Sequence, residues 1–173
     1  MIEARAAEIK ILFLDVDGVM TDGKITITDR GEETKSFDVK DGQGLKMLMA
    51  GDVEVVLVTG RSSPIVEQRA RDLGIEEVYQ GITDKGAICE ELTRVKGLKE
   101  KEVCSMGDDL PDLAMFVKAG LRIAVADAVK EVRKAADFIT TSKGGSGAVR
   151  EACELILKSQ KKWHGMTAIF SGE

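Results

Sequence analysis

The sequence predicts a three-layer α/β fold, a mainly parallel sheet with helices on both faces and a β-hairpin inserted after the first strand. Three observations predict it. Short apolar runs alternate with amphipathic stretches along the chain, as in successive strand–helix units. The runs are continuously rich in Val, Ile and Leu, as strands covered on both faces require. Residues 18 to 42 separate the first strand from the first long helix, where such a connection normally takes about 2–6 residues.

The first strand is "IKILFLD", ending in Asp15. Within the long segment, "KITIT" and "ETKSFDV" flank "DRGE" and read as a hairpin over about 24–38, with Gly31 at the positive-φ turn position. The remaining strands are "VEVVLVT", "EEVYQ", "EVCSMG", "LRIAVA" and "DFITT". A helix over 84–96 is predicted by Ile88, Leu92 and Val95 at helical spacing. The last helix, about 147–161, places Val149, Ala152, Cys153, Ile156 and Leu157 on one stripe, and a tail follows over about 161–173. With no repeat, low-complexity tract or linker, residues 1–173 read as one domain.

Composition removes several function classes. A formal charge of −5 offers no basic stripe, and 4% aromatic residues offer no stacking platform, so nucleic acid is not an expected partner. No apolar run approaches the ~20 residues of a membrane helix, and "MIEARAAEIK" has no secretory pattern. Cys89, Cys104 and Cys153 are odd in number and widely spaced, which fits core volume in a reducing compartment rather than a zinc site or disulfide framework. A soluble, cytoplasmic protein is expected. His164 lies in the polar tail, remote from any catalytic pattern.

The chemistry lies in four short stretches that end or follow strands: "DVDG" at 15–18, "VTGR" at 58–61, "DKG" at 84–86 and "GDDLPD" at 107–112. A parallel sheet gathers all four at its carboxyl edge, where ligands bind in this architecture. Asp15 and Asp17 share a face, since residues i and i+2 of a strand point the same way. Two such carboxylates need a cation or a proton between them. Phosphoryl transfer to a carboxylate needs this set. Asp15 and Asp108, with the Asp17 backbone carbonyl, would hold Mg2+, which prefers oxygen ligands. Asp15 would be the nucleophile that forms an aspartyl-phosphate. Asp17 would protonate the leaving oxygen and later deprotonate the attacking water. Thr59 and its neighbouring N–H groups would bond a phosphate oxygen, and Lys85 would offset developing negative charge.

In order and residue type, the four stretches resemble the motifs of the haloacid dehalogenase (HAD) superfamily of Mg2+-dependent phosphohydrolases. The match covers nearly the entire chain and leaves no residues for a cap domain, so the resemblance implies a Rossmann-like, HAD-type fold without a cap. More closely, "LDVDGVMTDG", "FDVKDGQGLKML", "VTGRSSPIVEQRARDLGI", "YQGITDK", "GDDLPDL" and "GGSGAVREACELIL" resemble the capless 3-deoxy-D-manno-octulosonate 8-phosphate (Kdo 8-phosphate) phosphatases. That resemblance implies release of phosphate from Kdo 8-phosphate, a step of lipopolysaccharide precursor synthesis. It also implies a homotetramer with sites shared between neighbouring chains.

A phosphorylated sugar acid carries a carboxylate far from its phosphate, so cations are expected away from the metal. Lys40, Lys46, Arg61 and Arg69 are the candidates, with Asp41, Gly42 and Gly60 beside them in the resembling segments. Arg61 offers a fork suited to a carboxylate. Relatives acting on nine-carbon sialic-type acids tend to carry Glu near this position, so Arg61 favours the eight-carbon acid. The chain departs from the group at Lys46, commonly Arg, and at Asp38, often Asn. "KGGSG" at 143–147 reads either as an anion-binding run of N–H groups or as a turn capped by Ser146. Two other functions remain as alternatives: a phosphatase for a nine-carbon acid or another sugar phosphate, and a receiver-type signalling domain. The receiver order, with its phospho-acceptor before Thr and Lys, disagrees with Asp108 and Asp109 following Lys85.

Overall fold

A computed structural model describes residues 1–171; the last two positions of the expected tail, 172 and 173, lie outside the described residues. In chain order the elements are α1 (Ile2–Ala6), β1 (Ile11–Leu14), β2 (Thr26–Ile27), β3 (Glu33–Thr34), α2 (Val39–Ala50), β4 (Glu54–Val58), α3 (Pro64–Leu73), β5 (Glu77–Tyr79), α4 (Lys85–Val95), β6 (Val103–Gly107), α5 (Leu113–Phe116), β7 (Leu121–Ala124), α6 (Lys130–Ala135), β8 (Phe138–Ile139), α7 (Ala148–Ser159) and α8 (Trp163–Ser171). All six expected strands form one sheet in the order β5-β4-β1-β6-β7-β8, and every pairing is parallel.

Strand alternation divides the core in two. Leu12 and Leu14 face one layer with Leu57, Met106, Val149, Ile156 and Leu157, which α1, α2, α3, α6 and α7 cover. Ile11 and Phe13 face the other with Val56, Val58, Cys89 and Met115, under α4 and α5. Each fully buried aliphatic or aromatic side chain stabilises the fold by roughly 1.5–3 kcal/mol. This two-sided burial is why the strands read as unbroken apolar runs. The three cysteines are free and buried, as expected.

The hairpin is present but short. β2 and β3 pair antiparallel, and Gly31 takes φ +79° at the turn. The tail becomes α8, which the sequence reading left without structure. Trp163 anchors it, with the Arg150 guanidinium and the Lys158 ammonium each 5.0 Å from its ring. Among the described residues no helix is long and apolar enough to cross a membrane. The chain runs outward from β1 through β4 to β5, then crosses back to β6 on the other side of β1 and continues to β7 and β8. A crevice therefore opens at the carboxyl end of β1, where the strand order reverses.

Candidate active site

β1 is wholly buried and delivers Asp15, itself 5% exposed, to that crevice. The chain then turns tightly, with the amides of Val19, Met20 and Thr21 all bonded to the Val16 carbonyl. Gly18 sits in this turn at φ +99°, and a Cβ there would come within 2.1 Å of Asp108 Oδ2. The turn can therefore approach the end of β6 only as glycine. Behind it packs the 143–147 loop, where a Cβ on Gly144 would lie 1.8 Å from the Gly18 carbonyl oxygen.

Lys85 enters at the start of α4, whose N-cap Asp84 accepts from the Ala87 amide at 3.0 Å. Its ammonium is buried and sits 2.6 Å from both Asp15 Oδ1 and Asp112 Oδ1. Asp112 Oδ2 accepts from the amides of Asp108 at 2.9 Å and Asp109 at 3.2 Å. Oxygens of Asp15, Asp108 and Asp112 lie within 4.8 Å of one another. Three carboxylates thus crowd together, and two of them, Asp15 and Asp112, share one ammonium. Burial and then the Asp112 charge push the Asp15 carboxyl up to about 6, against the pull of Lys85. Burial, Asp15 and Asp112 push Asp108 up to about 8. Burial works against the Lys85 charge, yet Asp15 and Asp112 hold it above the usual lysine value. Asp108 Oδ1 is buried and has no hydrogen-bond partner. A hard cation with oxygen preference fits this donor set.

Asp17 stands apart from that cluster. Its Oδ1 accepts from Lys35 of the hairpin, while Oδ2 is buried and unpartnered, 3.9 Å from Arg61 Nε. Thr59 is buried, and its Oγ1 accepts from the Arg61 amide at 3.3 Å. Arg61 is solvent-facing and reaches Glu33 Oε2 at 3.3 Å. A cleft of about 510 Å³ is lined by Asp15, Asp17, Thr59, Gly60, Arg61, Lys85, Asp108 and Asp112.

The structure therefore brings together Asp15, Asp17, Thr59, Gly60, Arg61, Lys85 and Asp108, as the four stretches predict. The third carboxylate of the cluster is that of Asp112, whereas the Asp17 carboxylate turns to Lys35. The other five candidates do not line this cleft. Lys40 and Lys46 are exposed on α2. Asp41 is buried and accepts from the amides of Gly147 at 3.3 Å and Arg150 at 2.8 Å, capping α7. Gly42 lies under Arg69, whose guanidinium donates to the Asp38 carbonyl at 3.4 Å and stacks over Phe37.

The 143–147 loop meets neither expectation. α7 has Gly147 as its N-cap, with no bond from Ser146. The Gly144 amide donates to Asp127 Oδ1 at 3.0 Å and that of Gly145 to the Val19 carbonyl at 2.9 Å, while Asp41 takes those of Gly147 and Arg150. These N–H groups are already committed, and the glycines serve close packing. Sequence reasoning missed Lys35 and Glu33, and it left Asp112 without a role. The four-residue step from Asp108 to Asp112 in "GDDLPD" was a usable signal; Lys35 offered none.

The chain matches the family model described as haloacid dehalogenase-like hydrolase over residues 74–152. It is 44% identical to the 3-deoxy-D-manno-octulosonate 8-phosphate phosphatase KdsC of Yersinia pestis, covering 95% of this chain and 88% of that one. Identity to the Escherichia coli K12 enzyme of the same name is 43%, over 92% of this chain and 85% of that one. Among solved structures, the 3-deoxy-D-manno-octulosonate 8-phosphate phosphatase of Moraxella catarrhalis, in complex with magnesium, phosphate and KDO, superposes with a TM-score of 0.95 at 43% identity, covering 98% of this chain and 97% of that chain. The cobalt-bound phosphatase of Haemophilus influenzae gives 0.87 at 41% identity, over 91% and 92% of the two chains. With a parallel α/β sheet, four strand-end motifs in one cleft and such identity over almost its whole length, the chain belongs to the haloacid dehalogenase-like hydrolases, and within them to the 3-deoxy-D-manno-octulosonate 8-phosphate phosphatases.

Proposed function

We propose that the protein hydrolyses Kdo 8-phosphate to Kdo and inorganic phosphate through an aspartyl-phosphate on Asp15. One observation carries the reading: a cluster of three carboxylates, two of them paired with Lys85, shares a single cleft with Arg61. The first is equipment for phosphoryl transfer, the second a receptor for the substrate's distant carboxylate.

Asp15 and Asp108, with the Asp17 backbone carbonyl, would hold Mg2+, and Asp112 would orient Asp108 through its amide. When bound, the ion offsets the negative charge of the phosphate and of the attacking carboxylate. Lys85 engages Asp15 Oδ1 and favours its ionised, nucleophilic form. An oxygen of Asp15 bonds to phosphorus as the bond from phosphorus to the sugar oxygen breaks, and Asp17 gives that oxygen its proton. Water then attacks phosphorus, its proton passes to Asp17, and the bond from Asp15 to phosphorus breaks. Thr59 and the amides beside it bond the phosphate oxygens through both steps.

Arg61 provides the test of substrate. The protein is expected to prefer Kdo 8-phosphate over nine-carbon acid phosphates and over neutral sugar phosphates. Arg61→Ala is expected to weaken kcat/KM for the acid sugar by roughly 10–100-fold, the effect of removing a charged hydrogen bond. An aryl phosphate should lose far less. Equal losses on both would move Arg61 to the phosphate end and sink this assignment.

The same reading places the protein in the cytoplasm as a homotetramer. Free, buried cysteines suit a reducing compartment, and cell fractionation checks the location. Ile25 and Ile27 on the hairpin are 51% and 63% exposed, and a two-stranded hairpin is marginal alone. Packing hairpins from several copies would cover these residues and their strand edges while walling each open cleft. Light scattering is expected to give the tetramer mass at assay concentration. A fully active monomer would exclude shared sites.

A further inference from the structure

Lys35 belongs to none of the four strand-end stretches, yet it holds Asp17, which lines the cleft they form. Its side chain is 1% exposed. Its ammonium donates to Asp17 Oδ1 and lies 2.9 Å from Glu33 Oε1, and Glu33 in turn meets Arg61. Burying an ammonium is costly unless carboxylates compensate it, and here one of the two is Asp17. The other Asp17 oxygen, Oδ2, is buried and accepts no hydrogen bond. An ammonium has three donors and no acceptor, so Oδ1 is engaged as an acceptor and Oδ2 is the oxygen left unengaged.

We infer that Lys35 is a positioning residue for Asp17: by occupying Oδ1 it fixes the carboxyl plane and leaves Oδ2 as the oxygen free to exchange a proton with the substrate. The inference rests on the reading of Asp17 as acid and base. As the bond from Asp15 to phosphorus forms and the bond from phosphorus to the sugar oxygen breaks, the Oδ2 proton moves to that oxygen. The resulting carboxylate stays held by Lys35 until water returns a proton to Oδ2. The hairpin is then part of the acid/base apparatus as well as a cleft wall.

The dependence on leaving group separates this role from a structural one. A sugar alkoxide needs a proton to depart, whereas 4-nitrophenolate hardly does. Lys35→Met is expected to lower kcat/KM for Kdo 8-phosphate by about 100-fold and for 4-nitrophenyl phosphate by less than about threefold, since general acid help is typically worth 10²–10⁴-fold. Lys35→Arg, which keeps the charge, should recover part of the loss. Should the Met variant fold poorly, Lys35→Gln, one atom shorter and uncharged but still a donor, should show the same split at smaller size. Equal losses on both substrates, or no loss on the sugar phosphate, would overturn the inference. Asp17→Asn in the same assay tests the parent reading. If it too affects both substrates equally, the acid/base assignment fails; if it alone splits them, only the role of Lys35 fails.

Discussion

Replacing Asp15 by Asn is expected to lower kcat by on the order of 10⁵–10⁶, the scale seen when a covalent nucleophile is removed, while the fold persists. An amide is nearly the same shape but a poor nucleophile and a poor ligand for a hard cation. Lys85 keeps Asp112 as its partner at 2.6 Å, so the ammonium is not left alone. The cluster also loses a carboxylate whose protonation burial and Asp112 push up to about 6. The melting temperature should therefore hold steady or rise at neutral pH. Rapid quench with labelled substrate should trap phosphate on the wild-type chain and none on the variant. A variant retaining a few per cent of turnover, or still capturing phosphate, would remove Asp15 from the nucleophile's role.

Metal removal is expected to silence the enzyme and also destabilise it in a pH-dependent way. Chelation should abolish turnover and Mg2+ restore it, whereas Ca2+, which takes more ligands, should bind without supporting turnover. The unfolded carboxyls of Asp15 and Asp108 ionise near 3.8, but in the metal-free fold they hold protons up to about 6 and about 8. Between those values the native state binds more protons than the unfolded state, so stability falls as pH rises. It is fully present below the unfolded value and lost through the folded ones. A cation that takes the place of those protons should help most where they are gone. At saturating Mg2+, about 100-fold above its dissociation constant, binding adds roughly 2.7 kcal/mol, or about 5–10 °C for a chain of this length. Melting curves with chelator and with Mg2+ should show a larger shift near pH 8 than near pH 5. Equal shifts, or turnover surviving exhaustive chelation, would exclude a metal at these carboxylates.

Much of this was written locally. Continuous Val, Ile and Leu runs encode burial on both faces, so every sheet strand was legible. Asp15, Asp17, Thr59, Lys85 and Asp108 each follow a strand closely, and a parallel sheet carries all such ends to one edge. Asp112 was half legible, through its spacing from Asp108. The sugar-acid candidates were not separable this way. Arg61 reaches the cleft from the end of β4, but Lys46 and Arg69 resemble any basic residue on a helix.

By itself, then, the sequence determined the layers, the strands and the reactive set, because each depends on side-chain period or on position next to a strand. Only the tertiary structure decided which groups spend themselves on packing. Asp41 looks like a first-turn acid of α2, yet it caps a helix 109 positions away at the Arg150 amide. The 143–147 glycines look like an anion loop, yet they let two backbones close behind Gly18. Lys35 sits in the hairpin, and only the fold brings it to Asp17, 18 positions away. A long-range hydrogen bond needs two segments in place at once, and neither segment alone carries a trace of the other.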